Sequence, residues 1–235
     1  MRYPQQLWPS QKAFLKSVRR NGPHIALYMG EVGCGKTYAA TLLCILLALQ
    51  QPGSQGLIIV PSKDFFMDVV EPMLCIHLEG FGLSRVRTLK TKQTWVFPNG
   101  SQIHYRSVKQ LNWPQNPQWV YIEDIASVSL AQYTDLVSQL QPGQRLFAEF
   151  TGRALPSSWQ KWVFEGKDAP PAVRVIYGRT KENQNLPPFY YDFAQQPLDY
   201  FASTVNLPPW VLKAVRGAKL PHPYVTLLKH LSGKN

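Results

Sequence analysis

Apolar and polar positions along this chain follow two periods, and each change of period marks an element. Residues 9–20 set Phe14, Leu15 and Val18 among Lys12, Lys16, Arg19 and Arg20, the spacing of an amphipathic helix, closed by Asn21-Gly22-Pro23. Residues 24–29 (HIALYM) are a short unbroken apolar run, the pattern of a buried strand. Residues 38–49 (YAATLLCILLAL) are a longer run rich in Ala and Leu, a buried helix broken by Gln51-Pro52-Gly53-Ser54. Residues 56–61 repeat the strand pattern, and 63–79 the helix pattern, with Pro72 expected to end or kink it. This β-α-β-α order predicts parallel strands joined by right-handed crossovers. Residues 94–97 and 102–107 flank Pro98-Asn99-Gly100-Ser101 and read as a hairpin. Strands follow at 118–122, 145–151 and 173–177, with a helix at 130–140. The expected architecture is α/β, a mostly parallel sheet flanked by helices. Residues 1–190 form the main domain, and the Pro- and aromatic-rich residues 191–235 a helical tail or linker packed on it.

The chemistry concentrates between the first strand and the helix after it. Residues 30–37 read GEVGCGKT, a complete G-x-x-x-x-G-K-[ST] phosphate-binding loop. In this pattern the backbone of Gly30, Glu31, Val32, Gly33, Cys34 and Gly35 closes around phosphates. Lys36 reaches the β- and γ-phosphates, the Thr37 hydroxyl holds Mg²⁺, and Tyr38 follows at the helix start. The predicted strand–loop–helix order is the context the motif requires. ATP with Mg²⁺ is therefore the expected ligand.

A second constellation is Glu123-Asp124, at the end of the apolar strand 118–122. Adjacent acids at a buried strand end are costly without a cation or hydrogen bonds. In a phosphate-loop fold they face the metal and the attacking water. Glu123 is assigned to the metal and Asp124 to the water, with exchanged roles the alternative and a solvated acidic turn capped by Asp the plainest one. Thr151 ends the next strand, where a polar group either senses the γ-phosphate or serves as a simple cap. Gln11, after Trp8-Pro9, either binds an adenine edge with Trp8 or Phe14 against the ring, or is an ordinary helix residue.

Composition adds a partner. The 235 residues carry a formal net charge of +11, which favours a polyanion, most simply nucleic acid. Cys34, Cys44 and Cys75 are too few and scattered for a disulfide framework or zinc site, so a reduced, cytoplasmic setting is expected. The histidines at 24, 77, 104, 222 and 230 have no metal-ligand spacing. No Ser–His or Cys–His pattern suggests covalent catalysis. The start lacks the apolar run of a signal peptide, and the longest apolar run is too short to span a bilayer, so no membrane role is expected.

In order and spacing these segments resemble the ATPase domain of the large terminase subunits of tailed bacteriophages. The resemblance runs through WPSQKAFL, GEVGCGKT, WVFPNGSQIHYRS, WVYIED, FTGRALPSSWQKWVF and VIYGRTKENQNLPPFYYDF. It implies an additional-strand phosphate-loop ATPase with a β-hairpin insertion, moving or remodelling double-stranded DNA. It also implies a homo-oligomeric ring, with a portal protein, a small terminase-like subunit or a separate nuclease as partners. An arginine finger from a neighbouring subunit is implied too, with Arg106 and Arg153 as candidates. Departures from the family pattern are Glu-Asp in place of Asp-Glu, Glu31 where a basic residue is common, and Gly152-Arg153 where Asn-Pro is common. The family's nuclease domain would begin about where this chain stops, and the tail holds Asp199 but no set of three acids for two-metal cleavage, so no nuclease activity is expected. The rival readings are a helicase-like or transposition-associated ATPase, a nucleotide-binding scaffold without turnover, and a DNA-binding module with a vestigial loop.

Overall fold

The structure is a computed structural model that describes residues 7–18, 25–83, 85–110, 116–152, 155, 157–166 and 173–186. The strands are β1 Ile25–Gly30, β2 Gln55–Val60, β3 Arg87–Leu89, β4 Thr94–Val96, β5 Gln102–Ser107, β6 Trp119–Ile122, β7 Arg145–Thr151 and β8 Val173–Gly178. The helices are α1 Pro9–Ser17, α2 Lys36–Gln50, α3 Lys63–Phe65, α4 Glu71–Gly80, α5 Leu130–Gln139 and α6 Ser158–Glu165. All eight strands join one sheet in the order β3-β4-β5-β2-β6-β7-β1-β8. From β5 to β8 the strands run parallel; β3 and β4 add an antiparallel edge.

Strand periodicity divides the core into two layers. Tyr28, Ile58, Tyr121 and Phe147 point to one face and pack with Phe14 of α1, Ala40 and Leu43 of α2 and Leu74 of α4. Their neighbours Leu27, Ile59, Val120, Ile122 and Ala148 point to the other and pack with Tyr133 and Leu136 of α5 and Val163 of α6. A sheet buried on both faces gives continuous apolar runs rather than alternation, which is why β1, β2 and β6 were legible as such.

The architecture is the expected α/β type, with β7 inserted between β1 and β6 as the additional strand. The hairpin of β4 and β5 forms at the expected turn: Phe97 N donates to Ser101 O at 2.9 Å and Gly100 N to Phe97 O at 3.0 Å. Because β5 also pairs in parallel with β2, the hairpin extends the sheet. β3 escapes prediction because its three residues are all exposed and show no alternation. Pro72 does not end the helix predicted over residues 63–79. The helix passes from α3 into a π turn, Phe66–Val70, where Glu71 N bonds Phe66 O, and continues as α4 to Gly80. The wider turn absorbs the N–H that Pro72 lacks. The first helix ends at Ser17 rather than at residue 20; residues 19–20 and the tail 191–235 lie outside the described residues.

Candidate active site

Gly30 ends β1 and Lys36 opens α2, so five residues turn the chain from strand to helix. The turn needs left-handed backbone at Gly33 (φ 80°) and Gly35 (φ 79°), where a side chain is strained. At Gly35 a Cβ would also collide with the Gln11 amide. Lys36 is buried, and its Nζ donates to Gly30 O at 3.2 Å and Glu31 O at 3.0 Å. The ammonium thus lies within the loop, at the positive end of α2, the arrangement that receives phosphate. Cys34 is wholly buried with its Sγ 3.8 Å from Lys36 Nζ. Burial pushes its thiol up, which suits a small filler rather than a nucleophile.

Groups distant in sequence hold the loop's shape. Thr180 Oγ1 donates to Val32 O at 2.8 Å and Asn183 Nδ2 to Gly33 O at 2.7 Å. Thr180 N donates to the Glu31 carboxylate at 2.9 Å. Glu31, an acid where a base is common in the resembled family, therefore ties the loop to the segment after β8. On the other side Gln11 Nε2 donates to Gly35 O at 3.1 Å, and Gln11 Oε1 accepts from Trp8 N at 2.9 Å. Gln11 is buried, not the exposed helix residue of the plainer reading. Phe14 is wholly buried and stacks on Tyr28 with ring centroids 5.0 Å apart. That removes Phe14 as an adenine platform and leaves half-buried Trp8. Tyr38 is half-buried, its ring 4.5 Å from that of His77 in an edge contact.

The acids lie two strands from β1, across β7. Glu123 N continues the ladder by donating to Ile59 O at 2.9 Å, and Glu123 is 7% exposed. Burial, then the charges of Glu149 and Asp124, push its carboxyl well above the usual range. Asp124 Oδ1 accepts from Ala126 N at 3.0 Å, capping the short 3-10 turn Ile125–Ser127; burial raises its pKa as well. The capping role foreseen for an Asp here is thus present, and it occupies one carboxylate oxygen. Gln160 of α6 donates to Ile125 O at 2.7 Å and fixes that turn. Thr151, at the end of β7, is the register partner of Gly30, and Gly152 N donates to Gly30 O at 3.0 Å. The strand end that carries Thr151 is therefore bonded to the root of the loop.

Sequence reasoning missed a third acid. Glu149 on β7 is 2% exposed and accepts from Thr37 Oγ1 at 3.2 Å and from the Tyr121 hydroxyl. Burial raises its pKa, opposed by Lys36 and by the two hydroxyls. A Glu within the apolar stretch 146–150 of β7 was the available signal. Burial makes Glu123, Asp124 and Glu149 all reluctant to ionise; Glu123 and the Thr37 hydroxyl are hard oxygen donors of the kind a divalent cation takes. Among the described residues no three His, Cys, Asp or Glu side chains form a metal site by themselves, so phosphate oxygens and water would complete the shell.

Arg106 does not join this cluster. It lies on β5, four strand spacings from β1, about 19 Å away. Its guanidinium donates to the Tyr105 carbonyl at 2.7 Å and the Lys92 carbonyl at 3.3 Å. Arg153 lies outside the described residues. Among the described residues no helix is long and apolar enough to cross a membrane.

No family model and no curated protein sequence matches this chain. Its fold is similar to that of solved phage large terminases. The large terminase from a thermophilic bacteriophage gives a TM-score of 0.71 at 14% identity, covering 83% of this chain and 52% of that one. The same terminase in complex with ATP-gamma-S gives 0.69 at 13% identity, over 83% and 51%. The Thermus phage P74-26 large terminase ATPase domain gives 0.54 at 15% identity, over 80% of this chain and 90% of that domain. This chain spans about half the length of the first of these terminases. At such identities the likeness is one of fold.

Proposed function

We infer that this chain is an ATP hydrolase of the DNA-packaging kind, with turnover coupled to double-stranded DNA. One observation supports the reading: Lys36 and Thr37 of a complete phosphate loop lie at the same end of a parallel sheet as Glu123 and Asp124, with an additional strand between them. The complexes of the thermophilic phage terminase with ADP and ATP-gamma-S support ATP as the nucleotide.

In this account Lys36 leaves the Gly30 and Glu31 carbonyls for the β- and γ-phosphates. Thr37 and Glu123 would hold Mg²⁺, which would neutralise phosphate charge. Asp124 orients the attacking water, or exchanges that role with Glu123. Catalysis is mostly positioning and electrostatics. Thr151, bonded through its strand end to the loop root, passes the state of the γ-phosphate into β7. Gln11 and Trp8 flank the adenine side. Arg106 is too far from the loop of its own chain, so it serves as a finger only for a neighbouring copy in a ring; Arg153 is the other candidate.

Phosphate release from ATP tests this. Lys36→Ala is expected to abolish it, and Glu123→Gln and Asp124→Asn each to lower it by 10²-fold or more, on the order of one lost electrostatic or general-base contribution. Full turnover in the Glu123→Gln and Asp124→Asn variants would remove the acids from the mechanism. The capped carboxylate of Asp124 favours one second reading, a nucleotide-gated scaffold; it predicts ATP binding with no phosphate release in any condition.

A further inference from the structure

β7 carries a buried acid on the face that Phe147 turns to the core. Phe147, two residues earlier on that face, is fully buried in the core. Glu149 is buried there at 2% exposure, and both of its oxygens are used: Oε1 accepts from the Tyr121 hydroxyl and Oε2 from Thr37 Oγ1 at 3.2 Å. Ile122 and Ala148 are the last paired residues of β6 and β7, so Glu123 and Glu149 follow at neighbouring positions. A buried carboxylate is costly, and an apolar residue of similar volume is often neutral or better for stability. Its retention at this place calls for a use.

The direction of the Thr37 bond supplies one. In the structure the Thr37 hydroxyl donates its proton to Glu149 Oε2, which leaves the Oγ1 lone pairs for another partner. We propose that Glu149 is a positioning residue for the divalent cation: it fixes the Thr37 hydroxyl as a metal ligand, and Tyr121 holds Glu149 in turn. This rests on the phosphate-loop reading above and deepens it. Outer partners of this kind orient ligands and are worth 10–100-fold in metal affinity.

The test is Mg²⁺ titration of the binding of a fluorescent ATP analogue, followed by polarisation, in the full chain and in Glu149→Gln. The expected result is a half-saturating Mg²⁺ concentration raised about 10–100-fold, with affinity for the analogue in EDTA changed less than about twofold. A double-mutant cycle adds a readout that a merely structural role would not move: in a Thr37→Ala background the Glu149→Gln change should lose most of its effect. If Glu149→Gln does not fold, Tyr121→Phe removes the supporting donor and should shift the Mg²⁺ requirement in the same direction by a smaller factor. An unchanged Mg²⁺ requirement in a folded variant, beside a native chain that shows Mg²⁺-linked binding, overturns the role of Glu149 alone. A native chain that binds no analogue with Mg²⁺ overturns the phosphate-loop reading and this inference with it.

Discussion

Single residues in this molecule hold several functions that one letter of sequence does not disclose. Gly56 on β2 faces Trp119 on β6, and a Cβ there would lie inside contact distance of an indole that is 1% exposed. Gly56→Ala is expected to cost about 1–3 kcal/mol through overpacking, read by urea unfolding. His77 is fully buried; its Nε2 lies 2.9 Å from Tyr38 O, to which Nε2–H donates, and burial lowers its pKa to about 4. It is neutral when folded, whereas in the unfolded chain it takes up a proton near its ordinary value of 6.5. The unfolded state therefore binds more protons between pH 6.5 and 4, and stability falls as the pH is lowered through that window, by up to ~3 kcal/mol. The stability of His77→Gln should be flatter over the same range; equal slopes would show that His77 is not the group responsible. The loop letters GEVGCGKT announced Lys36 and Thr37, but nothing in them announced Glu149. Its role depends on which strand lies beside β1, a fact of topology.

Elements here support one another through polar groups at their ends. Asn99-Gly100 was legible as a hairpin turn, and Gly100 adopts φ 83° as that turn requires. The turn also caps α2: Asn99 Nδ2 donates to Ala48 O at 2.8 Å, and Ser101 Oγ donates to Gln51 O at 2.8 Å. These bonds satisfy carbonyls that a helix end leaves unpaired. Asn99→Ala should lower stability by about 1 kcal/mol, seen as a lower Tm with an unchanged far-UV spectrum. Propensity told of the turn, whereas the cap depends on contacts some 50 residues apart and was invisible. The same holds for the strap after β8. Thr180 and Asn183 bond the carbonyls of Val32 and Gly33 across about 150 residues. Asn183→Ala should weaken nucleotide binding more than it lowers Tm, because it loosens the loop without emptying the core; an equal-affinity variant in a binding titration would argue against a role in holding the loop.

At the scale of the whole molecule, the sheet order decides what the site can do. The parallel strands were legible because burial on both faces makes apolar runs, and their order placed β7 between the loop strand and the acidic strand. The antiparallel edge was half legible: β4 and β5 carried a turn signal, while β3, three exposed residues, carried none. A net charge of +11 over this frame favours a polyanionic partner, and double-stranded DNA is the one proposed. The measurement that tests the account most directly is phosphate release from ATP and Mg²⁺ with and without double-stranded DNA, using the native chain beside Lys36→Ala. The expected result is turnover that DNA stimulates, that falls as salt is raised, and that is absent in Lys36→Ala. Turnover indifferent to DNA at low salt, or none at all despite tight ATP binding, would contradict it.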